Sequence, residues 1–248
     1  MSATLRRLHR WMGFVTGPFV VLFALSGVAL LLRDPIEALL EGRPPAARAH
    51  GRVPAAPDAI ADIARVPFPG AELRAVQAPA GPDEAYRVTL AWRSDRLEVW
   101  VDPYARAVIH TRLPDRSVMV AVRSLHAALH LGGIGAALVA LLGLAIAAHG
   151  ALGFILLPRE SARPIRSRAT RIHRVIGILA LGGSLALGLS GAQLAARTSS
   201  GAPAPGTGVV ERLHRGDFAG RAGRVAWLAT GLALPLLALS GYALSVRR

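Results

Sequence analysis

The sequence predicts an all-α membrane protein whose fold is a four-transmembrane-helix bundle made of two repeated helical hairpins. A small α+β module is predicted between the first and second helices. Three observations support this fold class. Four long stretches of the chain carry no charged residue, one region between them has the alternating pattern of β-strands, and two histidine motifs each occur twice.

The uncharged stretches identify the membrane-spanning segments. Of the 248 residues, 52% are hydrophobic and 18% are charged, below the roughly 25% of charged residues in soluble domains. Three of the uncharged runs have 22 residues and one has 35. About 20 apolar residues in a helix cross the hydrocarbon core of a bilayer, so each run is long enough to span and the lipid bilayer is the expected partner. The runs are Trp11–Leu32, Ser124–Pro158, Val175–Ala196 and Val225–Val246.

These runs set the predicted domain boundaries. The first run is longer than the ~7–15 apolar residues of a signal peptide and no Ala-x-Ala site follows it, so we expect a retained helix. The predicted parts are the start and first helix (1–33), the α+β module (34–116), the second helix (117–158), a loop (159–171), the third helix (172–197), a second loop (198–220), and the fourth helix with the tail (221–248).

The distribution of arginine predicts the orientation. Residues 1–10 contain three arginines, and the connection 158–174 contains six against one acid. An excess of basic residues in short loops marks the cytoplasmic side. We therefore expect a multi-pass protein of a bacterial inner membrane with both termini in the cytoplasm and the module in the periplasm. The opposite connection, 197–224, also holds five arginines, which weakens the bias.

The module between the first two spans shows the patterns of a small soluble domain. Pro57-Asp58 predicts the start of a helix that continues through Ala59–Arg65. Three segments that alternate apolar and polar residues, separated by turn residues, predict strands. They are Glu72–Ala78, Ala85–Trp92 and Arg96–Val101, and the Asp102-Pro103 turn leads into a fourth strand.

Two histidine motifs are repeated along the chain. His9 and His173 begin the first and third helices as His-Arg-x-x-Gly, and each is followed 17 residues later by Ser-Gly. His126 and His214 begin the second and fourth spans in a different pattern, Leu-His with Gly at +6 and +9. The repeats indicate one helical hairpin used twice, with the module inserted in the first copy.

The predicted topology pairs these histidines near the two membrane faces, with one member of each pair from each repeat. Neutral imidazole is a strong axial ligand for haem iron, and helix bundles commonly hold such cofactors in their core. We therefore predict two haem sites, with His9 and His173 as iron ligands at one face and His126 and His214 at the other. The alternative is that these are interfacial histidines whose polar tips reach the headgroups. Candidates to pair with haem propionates are Arg10, Arg174 and Arg215, each directly after a ligand candidate.

Two further histidines are second choices as iron ligands. His130 lies four residues after His126, on the same face of a continuous helix. His149 precedes Gly150 at the place where other spans have Ser-Gly, and a polar group deep in a span is often functional. The chain has no cysteine, which excludes covalent attachment through Cys-x-x-Cys-His, so the expected cofactor is non-covalent haem b.

The chain resembles the PepSY-associated transmembrane family. The resemblance rests on the order of "LHRWMG" in span one, "VDPY" in the module, "HRVIG" in span three and "LHRGDFAG" before span four. It implies an inner-membrane protein with a periplasmic PepSY-like module and, in some members, a dihaem b-type cytochrome that reduces ferric siderophores. This chain departs from the family pattern at His149, where Ser or Thr is expected, and at Ala127-Ala128, where Arg is common after the histidine.

The predicted function is a b-type dihaem cytochrome that relays electrons across the inner membrane to a periplasmic acceptor, a ferric siderophore or chelate, which makes it a ferric reductase. No dinucleotide fingerprint is present, so the donor is a separate quinol or cytoplasmic reductant. Expected partners do not include nucleic acid, and a homodimer is left open. Two alternatives remain: a haem-free PepSY membrane protein that regulates an envelope peptidase, and a haem-bearing membrane subunit of a periplasmic oxidoreductase.

Overall fold

The computed structural model describes residues 2–42, 46–48, 51–81, 83–161, 167–200 and 208–246. The chain divides into two compact units, which are described separately below. The membrane unit comprises Met1–Arg33 and Ala121–Arg248, and the inserted unit comprises Asp34–Val120. Parts of the two predicted loops, residues 162–166 and 201–207, lie outside the described residues.

The inserted unit contains the predicted helix and four-stranded sheet. Its helices are α2 (Arg33–Leu40) and α3 (Pro57–Arg65), and its strands are β1 (Glu72–Gln77), β2 (Tyr86–Trp92), β3 (Asp95–Asp102) and β4 (Ala107–Arg112). The sheet is antiparallel in the order β1-β2-β3-β4, which confirms the strands predicted from alternation. Helix α2 was not predicted.

Alternating side chains of the two central strands form the core of the inserted unit. Val88 and Leu90 of β2 and Val99 and Val101 of β3 are fully buried, and Ile60 of α3 is buried with them. Because successive residues of a strand face opposite sides, each strand directs one apolar row to the core beneath α3. The alternation in the sequence thus records which face of the sheet is covered.

The Asp102-Pro103-Tyr104 motif builds the turn between β3 and β4. The buried carboxylate of Asp102 accepts hydrogen bonds from the backbone N–H groups of Tyr104 (2.8 Å) and Ala105 (3.0 Å). In such an Asx turn, the side chain provides hydrogen-bond acceptors for backbone N–H groups that cannot pair with a neighbouring strand where the chain reverses direction. The motif of the sequence is therefore a structural element of the module.

Four of the described helices are long and apolar enough to cross a membrane. They belong to α1 (Ser2–Leu31), α5 (Gly132–Ser161), α6 (Arg168–Ser199) and α8 (Gly220–Val246). Many of their apolar side chains are not covered by other parts of the protein; Ile134 and Leu179, for example, are each 76% exposed. Such a surface requires a lipid environment, and the chain is a multi-pass membrane protein.

The second uncharged run forms two helices in place of the single helix predicted over 117–158. Helix α4 (Val118–Ala128) ends before the turn that leads to α5. Leu129 and His130 have left-handed backbone angles (φ 49° and 60°), which side-chain-bearing residues adopt rarely and which a helix cannot contain. His130 is consequently not on a continuous helix with His126, and its side chain is exposed.

The glycines of the second histidine motif explain this break. The same arrangement recurs where α7 (Val209–Arg215) precedes α8. A Cβ on Gly135 would lie 1.7 Å from the Ala128 carbonyl oxygen, and one on Gly223 would lie 2.4 Å from the Gly216 carbonyl oxygen. The repeated spacing of glycines therefore encodes a short histidine-bearing helix folded tightly against the start of a span.

Each spanning helix packs against two others: α1 and α6 both contact α5 and α8. Helices α5 and α6 approach closely at Gly143 and Gly188, where an added Cβ would lie 2.8 and 2.9 Å from the carbonyl oxygen of the other glycine. Small residues allow such backbone approach in membranes.

Candidate functional site

Two clusters of histidines lie between the helices of the membrane unit. The first, named here the two-histidine site, is formed by His126 of α4 and His214 of α7, whose ring centroids are 6.1 Å apart. Each ring is held by a serine of a spanning helix. Ser26 Oγ of α1 lies 2.8 Å from His126 Nδ1, and Ser190 Oγ of α6 lies 3.0 Å from His214 Nδ1.

The serines determine which nitrogen of each ring carries the proton. Ser26 Oγ donates its single proton to the Leu22 carbonyl oxygen, and Ser190 Oγ donates to that of Ala186. A hydroxyl that has donated its proton can only accept from the imidazole. His126 and His214 therefore carry the proton on Nδ1, and the lone pair on Nε2 is free to bind a metal.

Glycines directly after these serines let the rings approach the spanning helices. A Cβ on Gly27 would lie 3.2 Å from His126 Cε1, and one on Gly191 would lie 2.9 Å from His214 Cε1. A side chain at either position would displace a ring. The Ser-Gly repeat thus serves as a cradle, in which the hydroxyl holds Nδ1 and the glycine admits the ring.

Burial keeps the two imidazoles of this site neutral. Desolvation, followed by the charge of His214, lowers the pKa of His126 to about 4. Desolvation, followed by the charge of Arg215, lowers the pKa of His214. Both residues lie on short helices outside the four spans. At neutral pH both rings are in the unprotonated form that a metal ligand requires.

The second cluster, named here the three-histidine site, contains His9 of α1, His149 of α5 and His173 of α6. The ring centroids of His9 and His173 are 6.4 Å apart, and those of His9 and His149 are 4.4 Å apart. Ser240 Oγ of α8 lies 3.0 Å from His173 Nδ1 and donates to the Leu237 carbonyl oxygen. His173 is thus held with a free Nε2, as at the two-histidine site.

His149 is held in the same way by a threonine. Thr16 Oγ1 donates to the Met12 carbonyl oxygen and lies 3.1 Å from His149 Nδ1. His9 differs, because its Nδ1 is buried and has no hydrogen-bond partner among the described residues, and the same holds for His149 Nε2. Two unsatisfied nitrogens therefore remain on rings that are in contact.

A cavity of about 290 Å³ borders the three-histidine site. Its lining includes all three histidines together with Arg10 and Arg174, two of the three arginines predicted to pair with propionates. The third, Arg215, forms an ion pair with Glu211 one helical turn earlier. The volume is near the lower end of small-molecule sites, roughly 300–1,000 Å³.

The distances between ring centroids indicate which pairs of histidines could hold one iron between them. With a metal–nitrogen bond of ~2 Å and roughly 1 Å from nitrogen to ring centre, two axial rings have centroids about 6 Å apart. The pairs His126–His214 (6.1 Å) and His9–His173 (6.4 Å) fit this separation, whereas His9–His149 (4.4 Å) is too close. Of the four paired histidines, only His9 has an Nδ1 without a hydrogen-bond partner among the described residues. No group of three or more metal-binding side chains suited to a bare metal ion occurs in the described parts of the chain.

The structure brings together the residues of each predicted pair and separates His130 from both sites. The hydroxyl partners Thr16, Ser26, Ser190 and Ser240 were not predicted. The sequence contains a pattern that points to the serines, because Ser-Gly recurs at fixed distances from the histidines. Only the packing of the helices shows which serine faces which ring.

Comparison with known proteins supports a single family. No curated protein matches the chain significantly. The family model described as the PepSY-associated TM region matches residues 6–206, a range that includes four of the five histidines of the two sites, the inserted unit and three of the spans. The chain therefore belongs to the family of PepSY-associated transmembrane regions.

Proposed function

We propose that the protein is a b-type dihaem cytochrome that carries electrons across a bacterial inner membrane to a periplasmic acceptor, a ferric chelate. The observation that carries the proposal is the common geometry of the two sites. Each presents two rings from different helices about 6 Å apart, and three of the four rings are fixed by a serine with Nε2 free. Two such rings could hold one haem iron between them.

The side chains around the sites supply binding and orientation. The serines hold the rings in the ligating tautomer, and the glycines admit a ring against the backbone. Arg10 and Arg174 offer positive charge at the edge of the cavity, where propionates of a haem would lie. When bound, haem would supply one-electron redox chemistry, and the two histidines of each site would hold its iron.

The placement of the sites supports transfer across the membrane. His9 lies near the start of α1, whereas Ser26, which holds His126, lies near its end. A helix rises 1.5 Å per residue, so 17 residues correspond to about 25 Å, most of the ~30 Å apolar thickness. From the excess of arginine in the connection 158–174 we infer that the three-histidine site faces the cytoplasm. The ferric chelate as acceptor rests on the family resemblance.

The test is the pyridine haemochrome spectrum of the purified full-length protein with a haem-to-protein ratio. We expect a b-type spectrum and a ratio near two. His130→Ala, at an exposed histidine outside both sites, serves as the control and should keep that ratio. A colourless protein from haem-replete cells would contradict the proposal and would favour a haem-free membrane protein that binds an envelope peptidase.

A further inference from the structure

We propose that His149 is a positioning residue for His9. We infer that it accepts a hydrogen bond from Nδ1 of His9 and so lowers the reduction potential of a haem at the three-histidine site below that of a haem at the two-histidine site. The inference rests on the haem function proposed above.

Among the described residues, His9 lacks the hydroxyl partner that holds each of the other three rings. Ser26, Ser190 and Ser240 each precede a glycine, and each holds Nδ1 of a histidine from another helix. The glycine that receives the His9 ring in the same way is Gly153, and the residue before it is Leu152, which has no hydroxyl. The ring in contact with His9 is instead that of His149, three residues before Leu152, with 4.4 Å between the ring centroids.

The protons at this contact are complementary. Thr16 Oγ1 has donated its proton to the Met12 carbonyl oxygen, so His149 donates from Nδ1 to Thr16, and its Nε2 is an acceptor. When Nε2 of His9 is the ligating nitrogen, its Nδ1 carries the proton and is a donor. These are the two nitrogens left without partners at the site among the described residues. Pairing them satisfies both, with only a reorientation of rings already in contact.

Glycines hold the two rings next to each other. Gly13 lies four residues after His9 and faces His149, where an added Cβ would be 3.1 Å from Cε1 of His149. Gly153 lies four residues after His149 and faces His9, where an added Cβ would be 3.3 Å from Cε1 of His9. Each helix therefore provides one ring and one glycine that receives the ring of the other helix.

The chemical consequence is an asymmetry between the two sites. A neutral imidazole nitrogen is a stronger hydrogen-bond acceptor than a serine hydroxyl that has already donated its proton. A stronger acceptor on Nδ1–H increases the electron density of the ligating nitrogen, which favours the oxidised iron. Both rings of the two-histidine site have only hydroxyl acceptors. The resulting difference in potential would drive electrons from the three-histidine site toward the two-histidine site.

The experiment is a potentiometric titration, followed optically, of the wild-type protein and of His149→Ser, which removes the imidazole that accepts from His9. We expect two haem potentials in the wild type, an upward shift of the lower one in His149→Ser, and no change in the higher one. His149→Thr is a second variant with the same expectation in case serine impairs folding. His130→Ser is the matched control and should shift neither potential.

The outcomes separate this inference from the proposed function. A wild-type protein without haem would refute both. Two haems with potentials that His149→Ser and His149→Thr leave unchanged would overturn only the role of His149. Loss of one haem in His149→Ser, together with its retention in His9→Ala, would show that His149 is itself an iron ligand and would also overturn the inference.

Discussion

Ser26 of α1 holds the ring of His126, a residue 100 positions later in the sequence, through a contact of 2.8 Å between Oγ and Nδ1. The serine hydroxyl donates to its own helix at Leu22 and accepts from the imidazole. In the sequence, Ser26 of α1 precedes the inserted unit and His126 of α4 follows it. The contact therefore joins two segments that the whole inserted unit separates in the sequence. It shows that the serine of a Ser-Gly motif and the histidine of a Leu-His motif are contact partners.

Replacing this serine should loosen haem binding at one site. In Ser26→Ala, His126 loses the acceptor that fixes its tautomer, and loss of such a partner typically weakens metal affinity on the order of 10- to 100-fold. Haem retention at the two-histidine site, measured as the haem-to-protein ratio during dilution in detergent, should fall. Ser199→Ala removes an exposed hydroxyl that bonds only within its own helix and should leave the ratio unchanged. Equal retention in the two variants would contradict the role of Ser26.

Two glycines of α6 provide a matched test of ring packing. Gly191→Ala places a Cβ 2.9 Å from His214 Cε1, whereas Gly182→Ala places one where no atom lies within 4 Å. We expect Gly191→Ala to lower haem occupancy and shift the spectrum of one haem. Gly182→Ala should keep both haems and gain up to about 1 kcal/mol of helix propensity. Optical spectra would measure the haem occupancy of both variants, and thermal unfolding would measure their stability. Equal haem occupancy and spectra in the two variants would contradict the role of Gly191 in admitting the His214 ring.

Replacing the proposed iron ligands of one site should remove the haem of that site and leave the haem of the other site bound. His126→Ala or His214→Ala should lose the haem of the two-histidine site and retain the other, because the second pair lies on different elements. His9→Ala or His173→Ala should show the converse. The measurement is the haem-to-protein ratio with low-temperature spectra, which distinguish the two haems. Loss of both haems in every variant would show that the sites do not bind independently.

A buried ion pair should dominate the stability of the inserted unit. Arg112 of β4 donates to Glu37 of α2 and to Glu98 of β3, each at 2.8 Å, and Glu37 is only 4% exposed. In Arg112→Ala the carboxylate of Glu37 stays buried without this cation, and loss of one partner of a buried pair costs about 3–5 kcal/mol.

Hydrogen exchange of the full-length protein, followed at the amides of β2 and β3, would measure this cost as faster exchange. Arg74→Ala is the control, because its pair with Glu72 has side chains that are 62% and 71% exposed, and such pairs contribute about 0–1 kcal/mol. Similar exchange in the two variants would show that the cluster around Glu37 is not stabilising.

The orientation predicted from arginine can be tested with reporter fusions. A fusion at Ala162 should report the cytoplasm, and fusions within residues 80–84 or 202–207 should report the periplasm, because six arginines surround the first position. The reverse pattern would exchange the donor and acceptor faces without changing the geometry of either histidine site.

The sequence by itself determined the number of spans, the strands of the inserted unit and the histidines of each pair. These features follow from local or periodic properties. A run of 22 uncharged residues has the length of a membrane span whatever its neighbours are, and alternation along a strand reports a single covered face. The pairing of His126 with His214 followed from the repeat, since equivalent positions of two hairpins come together where the copies meet.

Only the tertiary structure decided the partners of the rings and the position of His130. The serine that holds His126 lies in another helix, and contacts between helices depend on their packing, which leaves no fixed spacing in the sequence. His130 was expected on the face of His126 because a continuous helix was assumed. The helix ends at Ala128 instead, and the chain then turns so that Gly135 lies against the Ala128 carbonyl oxygen. This contact between Gly135 and Ala128 is a feature of the folded chain. The contact of His149 with His9 likewise arises because α1 and α5 pack together.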